Sequence, residues 1–257
     1  MKKLIITAFF LTGALGLWAQ QPQGALDAEM LKKANDPMAN TKAFNLHNYI
    51  IPSIYGEPDM FSNQLMFRYA QPIGKFLVRG TLPVVTVAQS DSPAESGLGD
   101  FSLFAIYTWE FGGNKIGVGP LMAAPTATKD MFGQGKWQAG LSAMAFFANN
   151  HIIQYGTLLQ WQADFAGDED RAHVNLLTAQ LFGTWQIGGG TYLRSTGIWS
   201  FDLENNVYNI PVGLGIGKVI KVNNVVFNIF AEPQFSVYAK GTGGSRFQTF
   251  VGFNTQF

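Results

Sequence analysis

The thirteen residues Ser245 to Phe257, with the sequence SRFQTFVGFNTQF, decide the fold. Successive side chains of an extended strand point to opposite faces. One face of this segment would carry Phe247, Thr249, Val251, Phe253, Thr255 and Phe257. The other face would carry Arg246, Gln248, Asn254 and Gln256. Such a strand suits a wall that has lipid on one side and water on the other.

The position of this strand at the end of the chain indicates where the protein works. Phe257 closes the strand, and a terminal aromatic residue in this setting is typical of bacterial outer-membrane β-barrels. The segment therefore predicts the closing strand of a barrel in the outer membrane of a Gram-negative bacterium. The expected partners are outer-membrane lipid and the barrel-assembly machinery, which would engage the strand that ends at Phe257.

The beginning of the chain predicts export. Lys2 and Lys3 precede an uncharged apolar run from Leu4 to Leu17, and Ala19 offers a small residue before a polar segment. We therefore expect residues 1–19 to be a cleaved signal peptide. The rival interpretation is a membrane-spanning helix, but an apolar run of about 14 residues is shorter than the roughly 20 that a bilayer requires.

Charge and cysteine content exclude several functions. Cleavage would remove two of the 17 basic residues and leave all 17 acidic ones. This balance argues against a nucleic-acid partner, which would select a basic surface. The chain has no cysteine, which excludes disulfides, thiolate metal sites and a cysteine nucleophile.

Three regions follow from the distribution of helix and strand formers. Residues 24–35 (GALDAEMLKKAN) combine helix formers and contain no β-branched side chain, so we expect a short helix there. Residues 20–43 would form a periplasmic lead, or a small plug that enters the barrel. Residues 44–257 would form the barrel itself, which makes the fold class all-β.

From Phe44 onward, β-rich runs of roughly 11 to 15 residues alternate with turn-forming clusters, as in a barrel with short turns. We expect twelve antiparallel strands, with ten or fourteen as alternatives, near residues 44–55, 62–72, 75–88, 98–111, 114–126, 135–148, 151–165, 174–187, 190–201, 208–220, 225–239 and 245–257. Tight turns are expected at 72–75, 112–114, 149–150, 188–189 and 221–224. Longer polar loops are expected at 56–61, 89–97, 129–134, 166–173, 202–207 and 240–244. A soluble β-sandwich would also alternate, but its strands are usually about five or six residues long.

The same alternation assigns side chains to the lumen. The expected charged lining is Arg68, Arg79, Asp100, Glu110, Asp164, Arg194, Glu232 and Arg246. The expected aromatic path is Phe104, Phe146, Phe230 and Tyr238. Charges on the lipid face would cost several kcal/mol each, which favours their inward placement. Two roles stay open for them: cross-links that fill the interior, or a lining that selects solutes by charge and width.

Other motifs give no catalytic, metal or cofactor site. The glycine-rich segment 212–218 lacks the spacing of a phosphate-binding loop and precedes no helix. The acidic cluster 168–170 could hold Ca²⁺, but a solvated surface loop is the default interpretation. His47, His151 and His173 have no serine at the close spacing that outer-membrane phospholipases require. We therefore expect no enzyme activity and no cofactor.

A series of short motifs resembles a known family. The motifs are DPM at 36–38, RGTLPVVT at 79–86, GLGD at 97–100, GVGP at 117–120, PTAT at 125–128, GKWQAG at 135–140, FAGD at 165–168 and IPVGLGIGKV at 210–219. In this order they resemble the outer-membrane barrels grouped under the MetA pathway of phenol degradation, often labelled as transporters. The resemblance covers residues 36–257 and implies a barrel that passes aromatic or other small hydrophobic compounds. It assigns no catalytic residues.

The sequence therefore predicts a passive channel or transporter for small solutes, with aromatic or amphipathic compounds as candidates. The lumen-facing aromatic residues among the charges would suit a solute with one apolar and one polar end. The alternative is a closed structural or surface-interaction barrel that transports nothing.

Overall fold

The computed structural model describes residues 28–150 and 152–257. The predicted signal peptide, residues 1–19, and His151 lie outside the described residues. Helix α1 is Ala28–Asn35, inside the region where a helix is expected, and a 3-10 turn covers Asp130–Phe132. The strands are β1 (Ala43–Ile54), β2 (Met60–Ile73), β3 (Phe76–Gln89), β4 (Ser92–Leu98), β5 (Phe101–Phe111), β6 (Asn114–Ala124), β7 (Lys136–Phe147), β8 (Ile153–Gly167), β9 (Asn175–Gly188), β10 (Thr191–Ser195), β11 (Ile198–Asp202), β12 (Val207–Gly213), β13 (Gly215–Val222), β14 (Val225–Lys240) and β15 (Ser245–Gln256).

These segments form a closed antiparallel barrel of twelve strands, which confirms the predicted fold class. Three strands are each interrupted once, so that β4 with β5, β10 with β11, and β12 with β13 make one strand apiece. The barrel closes where β1 pairs with β15, from Ala43 opposite Gln256 to Ile54 opposite Ser245. Closure leaves no exposed strand edge, which is the condition for a sheet to cross a bilayer.

One predicted loop is wrong. The polar sequence from Gln89 to Gly97 was expected to leave the sheet, but β4 pairs with β3 from Val84–Leu98 to Gln89–Ser92. The turn is reduced to residues 90–91. Polar side chains do not prevent pairing here, because a hairpin that projects beyond the bilayer has water on both faces. At the other strand ends, the predicted bounds lie within two residues of the observed ones.

The two ends of the barrel differ. One end carries tight hairpins, in which Gly74 and Asn223 adopt positive φ angles of 59° and 54°. Hairpins with two-residue loops need such angles to match the twist of the strands. Lys42 and Phe257 lie at this tight-turn end, where the Phe257 N–H donates to the Lys42 carbonyl at 3.0 Å. The opposite end carries the longest connection, residues 125–135, which includes the 3-10 turn.

The outer wall of the barrel is apolar. On β8, Gln154 and Leu158 are buried inside, while Tyr155 and Leu159 are exposed. The same exposure recurs around the barrel at Leu103, Ile116, Val118, Leu141, Leu181, Ile216 and Ile229. A continuous band of this kind is unfavourable in water and favourable in lipid. The band therefore places the barrel in a bilayer. Within residues 28–150 and 152–257, no helix combines the length and apolar character needed to span a membrane.

Candidate functional site in the barrel interior

One interior wall is organised by Glu232, which has no exposed surface. Its Oε2 atom accepts hydrogen bonds from Arg194 Nε at 2.9 Å and from Thr196 Oγ1 at 2.7 Å. Its Oε1 atom accepts from the Thr196 backbone N–H at 2.7 Å and from Gln234 Nε2 at 2.9 Å. The carboxylate is therefore fully used by its neighbours, and it neutralises the charge of Arg194.

Two glycines leave room for the hydrogen-bond network of Glu232, which extends over three strand segments. Gly215 lies between β10 and β14, and a Cβ atom at that position would stand 2.6 Å from the Cβ of Glu232. A Cβ at Gly213 would stand 2.9 Å from Glu232 Oε1. The glycine-rich segment 212–218 therefore makes room for side chains inside the barrel, in place of binding a phosphate.

An aromatic group covers the Arg194 guanidinium. Its Cζ atom lies 3.3 Å from the ring centroid of Phe230 and 5.3 Å from that of Phe250. The ring of Tyr49 stacks on Phe250 with centroids 4.3 Å apart. These contacts combine cation–π attraction with aromatic packing, and they fill part of the lumen on this side.

The neighbouring part of the wall carries Arg68 on β2 and Arg79 on β3. The Nη1 atom of Arg68 lies 2.9 Å from Nδ1 of His47, and His47 Nε2 lies 2.8 Å from Oδ1 of Asn254. Because a guanidinium can only donate, His47 Nδ1 accepts, and His47 Nε2 carries the proton that it donates to Asn254. His47 is therefore neutral in this arrangement. The neutral His47 ring adds no positive charge to the interior, and it does not neutralise the charge of Arg68.

Arg79 is held differently. Its Cζ atom lies 4.4 Å from the ring centroid of Phe104, which is its direct partner across β3 and β5. Within the described part of the chain it makes no hydrogen bond, and its buried Nε atom has no partner. Arg68 Nε is also buried without a partner. No carboxylate among the described residues forms an ion pair with either guanidinium.

Residues 28–42, here called the N-terminal segment, enter the barrel at the tight-turn end. Asn228 Nδ2, on the inside of β14, donates to the Ala34 carbonyl at 3.2 Å and to Asn35 Oδ1 at 3.1 Å. Ala34 is buried against Tyr192 and Val219. Gln256 Nε2 also donates to the Lys33 carbonyl at 3.2 Å, so helix α1 is fixed to the barrel by two amide side chains and by a small apolar contact.

The residues after the helix are fixed to a different wall. Asp36 is buried, and its carboxylate lies 2.8 Å from Lys115 Nζ on β6. Lys115 Nζ also lies 3.0 Å from Glu110 and donates to the Met38 carbonyl at 3.1 Å. Burial raises the pKa of the Asp36 carboxyl above its usual value, against the opposing effect of the Lys115 ammonium. The side chain of Met38 is buried in a cluster that includes Leu77.

A cavity of about 150 Å³ lies between the N-terminal segment and the barrel wall. Arg68, Arg79 and Arg194 all face it. Its apolar lining includes Ala70, Leu77, Met144, Leu158, Phe182, Phe230 and Phe250. The cavity thus combines three guanidinium groups with an apolar surface, and the N-terminal segment forms one of its walls.

Several residues that the sequence assigned to the lumen lie near the barrel ends. Asp100 accepts hydrogen bonds from the backbone N–H groups of Ala127 and Gln134, which fixes the loop at 125–135. Asp164 accepts from the Val174 backbone at 2.7 Å and lies 3.0 Å from His173 Nδ1.

Two further residues that were expected in the lumen lie at the barrel end opposite the N-terminal segment. Arg246 is exposed over the ring of Tyr55, and Tyr238 is 69% exposed beside a bulge in β14. Phe146 is buried against Phe182, with centroids 6.4 Å apart. Of the predicted set, the cavity is lined by Arg68, Arg79, Arg194 and Phe230.

Some contributors were missed from the sequence. Phe250 shares the inward face with Gln248, and the alternation of β15 could have identified it. His47 was considered as a catalytic residue and not as a partner of an arginine. Alternation along β14 indicates that Asn228 faces inward, but its contact with the N-terminal segment, like that of Lys115, depends on a part that is distant in the chain.

Solved structures share this fold. An outer-membrane channel from Pseudomonas putida F1 superposes with a TM-score of 0.65 at 14% identity, over 86% of this chain and 99% of that chain. The NanC porin superposes with a TM-score of 0.54 at 6% identity, over 83% of this chain and 98% of that chain. No protein-family model matches the sequence, and no curated protein matches it.

The closed barrel and its apolar band define this chain as an outer-membrane β-barrel, in agreement with the predicted location. The predicted kinship with barrels of the MetA pathway stays a prediction, because the shared fold does not identify a family.

Proposed function

We propose that the chain is a passive outer-membrane channel for small solutes, and that the N-terminal segment is a plug at its periplasmic mouth. The proposal is carried by one observation: a cavity inside the barrel is lined by charged side chains that have no acidic partner among the described residues. Arg68 and Arg79 line this cavity together with the polar side chain of Asn45.

Charges that face a cavity distinguish a passage from a sealed interior. In a dry, packed barrel an unpaired buried polar group costs about 1–3 kcal/mol, and a charged group costs more. Water in a passage would hydrate the guanidinium groups that line it. Arg68 and Arg79 are therefore easier to explain in a solvated channel than in a closed structural barrel.

A closed structural barrel is the second candidate, and a specific observation favours it. Glu232 and Gln234 have no exposed surface, so the interior is tightly packed on their side. The channel proposal requires that the passage run past Arg68 and Arg79, which line the cavity.

The lining supports an amphipathic solute. The guanidinium groups of Arg68 and Arg79 would hold a polar end, and Leu77, Met144 and Leu158 would contact an apolar body. The two solved structures that share this fold are described as a channel and a porin, which supports a transport role for the same architecture.

Single-channel recording tests the proposal. The mature chain, residues 20–257, should give small discrete conductance steps in a planar bilayer. A variant without residues 20–42 should give larger steps, because it lacks the plug. If neither protein conducts after its folded state has been verified by gel mobility, the channel proposal is wrong and the closed barrel is favoured.

The C-terminal strand supports a second proposal about partners. β15 pairs with β1 over its length and ends beside Phe257 at the tight-turn end. We infer that the barrel-assembly machinery engages this strand before closure, while its edge is still free. Removal of Phe257 should slow assembly in cells and leave the strand order of the folded barrel unchanged.

A further inference from the structure

The cavity carries an excess of positive charge. Arg194 is paired with Glu232, and Asp36, which also lines the cavity, is paired with Lys115, an ammonium that it shares with Glu110. Arg68 and Arg79 remain, and in residues 28–150 and 152–257 neither forms an ion pair. The described lining therefore holds two guanidinium charges that lack a counter-charge.

Arg68 and Arg79 are neighbours on paired strands. Arg68 is opposite Thr81 and Arg79 is opposite Ala70, so the two arginines are diagonal neighbours on paired strands. Diagonal positions of this kind are about 7–8 Å apart, within reach of long side chains. Like charges at this spacing repel, and an anion between them would relieve the repulsion.

Arg79 has the free donors that an anion needs. Its only described contact is with the face of the Phe104 ring, which uses no N–H group of the guanidinium. The planar guanidinium binds a carboxylate through two parallel hydrogen bonds. Its N–H groups are thus available on the side that faces the cavity.

The remainder of the cavity sets the size and character of the ligand. Its volume of about 150 Å³ is the size that holds a benzene molecule in an engineered protein cavity. Leu77, Met144, Leu158 and Phe182 supply an apolar surface beside the arginines. An inorganic anion would leave that surface unused.

We propose that this cavity binds a small organic monocarboxylate, with the carboxylate between Arg68 and Arg79 and the apolar body against Leu77, Met144 and Leu158. The inference deepens the proposed function by naming a solute class, and as a transport statement it rests on that function. The binding itself does not require that the barrel conduct.

Equilibrium titration tests binding separately from conduction. Benzoate, benzyl alcohol and benzylammonium are titrated calorimetrically into the full mature chain in detergent, in a buffer free of carboxylate and phosphate. Benzoate should bind about 10-fold or more tightly than the neutral alcohol, since a hydrogen bond to a charged group is worth that factor. Benzylammonium should show no binding.

Arg79→Met removes the charge and the donors and keeps the length of the side chain. It should weaken benzoate about 10-fold or more and leave benzyl alcohol unchanged. Arg246→Met is the matched control, because Arg246 is exposed at the barrel end and does not line the cavity. It should leave benzoate binding unchanged. Arg79→Lys keeps the charge without the planar fork and should have an intermediate effect.

The outcomes separate the two proposals. Benzoate binding in a barrel without conductance would refute the channel and support the site. If the barrel conducts and binds benzoate and benzyl alcohol with equal affinity, the carboxylate site is refuted and the channel proposal stands. If Arg79→Met does not fold, the comparison of the three ligands on the unaltered chain still decides, since equal affinities overturn the proposal.

Discussion

Substitution of Met38 by alanine should release the N-terminal segment from the barrel. Met38 is 4% exposed and belongs to the buried cluster that contains Leu77 and Phe146. Its backbone carbonyl also accepts a hydrogen bond from Lys115 Nζ, and this contact survives the substitution. The change therefore removes the apolar part of the anchor and leaves the polar part in place.

The structure sets the size of the effect. Replacing a buried methionine with alanine costs about 2–5 kcal/mol. If this cost falls on docking of the segment, the undocked fraction rises about 30- to 4,000-fold, since each 1.4 kcal/mol is a factor of ten. The barrel wall should keep its stability, because the strand pairing does not involve Met38.

Cysteine labelling measures the undocked fraction directly. The chain has no cysteine, so Ala39→Cys, at a position 7% exposed, provides a single reporter. Its rate of reaction with a maleimide should rise by the factor above when Met38→Ala is added. Met131→Ala is the control, because Met131 is half exposed in the loop at the other end.

A clear result would refute this reasoning. If Ala39→Cys reacts at the same rate with and without Met38→Ala, Met38 does not hold the segment. If the reporter is already as reactive as a free thiol in the parent protein, the segment is not docked at all, and its role as a plug fails.

Three further predictions concern the wall and the loops. Leu141→Arg places a charge on the lipid face at the middle of β7 and should destabilise the barrel by about 2–4 kcal/mol, measured by urea unfolding in liposomes. Gly252→Val should lower the yield of folded barrel, because a Cβ atom there would stand 2.0 Å from the Phe230 ring. Gly183→Ala is the control and should leave the yield unchanged, because the nearest atom to a Cβ there is 3.9 Å away. Asp100→Ala should make the loop at 125–135 sensitive to protease and leave barrel unfolding unchanged, because its carboxylate binds that loop; equal protease sensitivity would contradict this role.

The strands and their facing were accessible from the sequence because both depend on neighbours in the chain. Alternation along β8 and β15 reproduces the exposed and buried faces of those strands. The turn residues located the hairpins, since Gly74 and Asn223 adopt the positive φ angles that such turns need. The failure at residues 89–97 has the same origin. Polar composition was used as evidence for a loop, although strand pairing depends on the backbone and not on side-chain polarity.

A barrel with a two-faced wall can be inferred from the amino-acid sequence alone, since the period of the side chains and the turn residues are local properties. Which inward side chains meet becomes known only from the three-dimensional structure. Arg194 and Glu232 are 38 residues apart, and Asn228 reaches Ala34 across 194 residues. These contacts depend on strand register and on the path of the N-terminal segment. For the same reason, alternation placed Arg79 inside but could not show that it lacks a carboxylate partner, because only the assembled interior has walls that face each other.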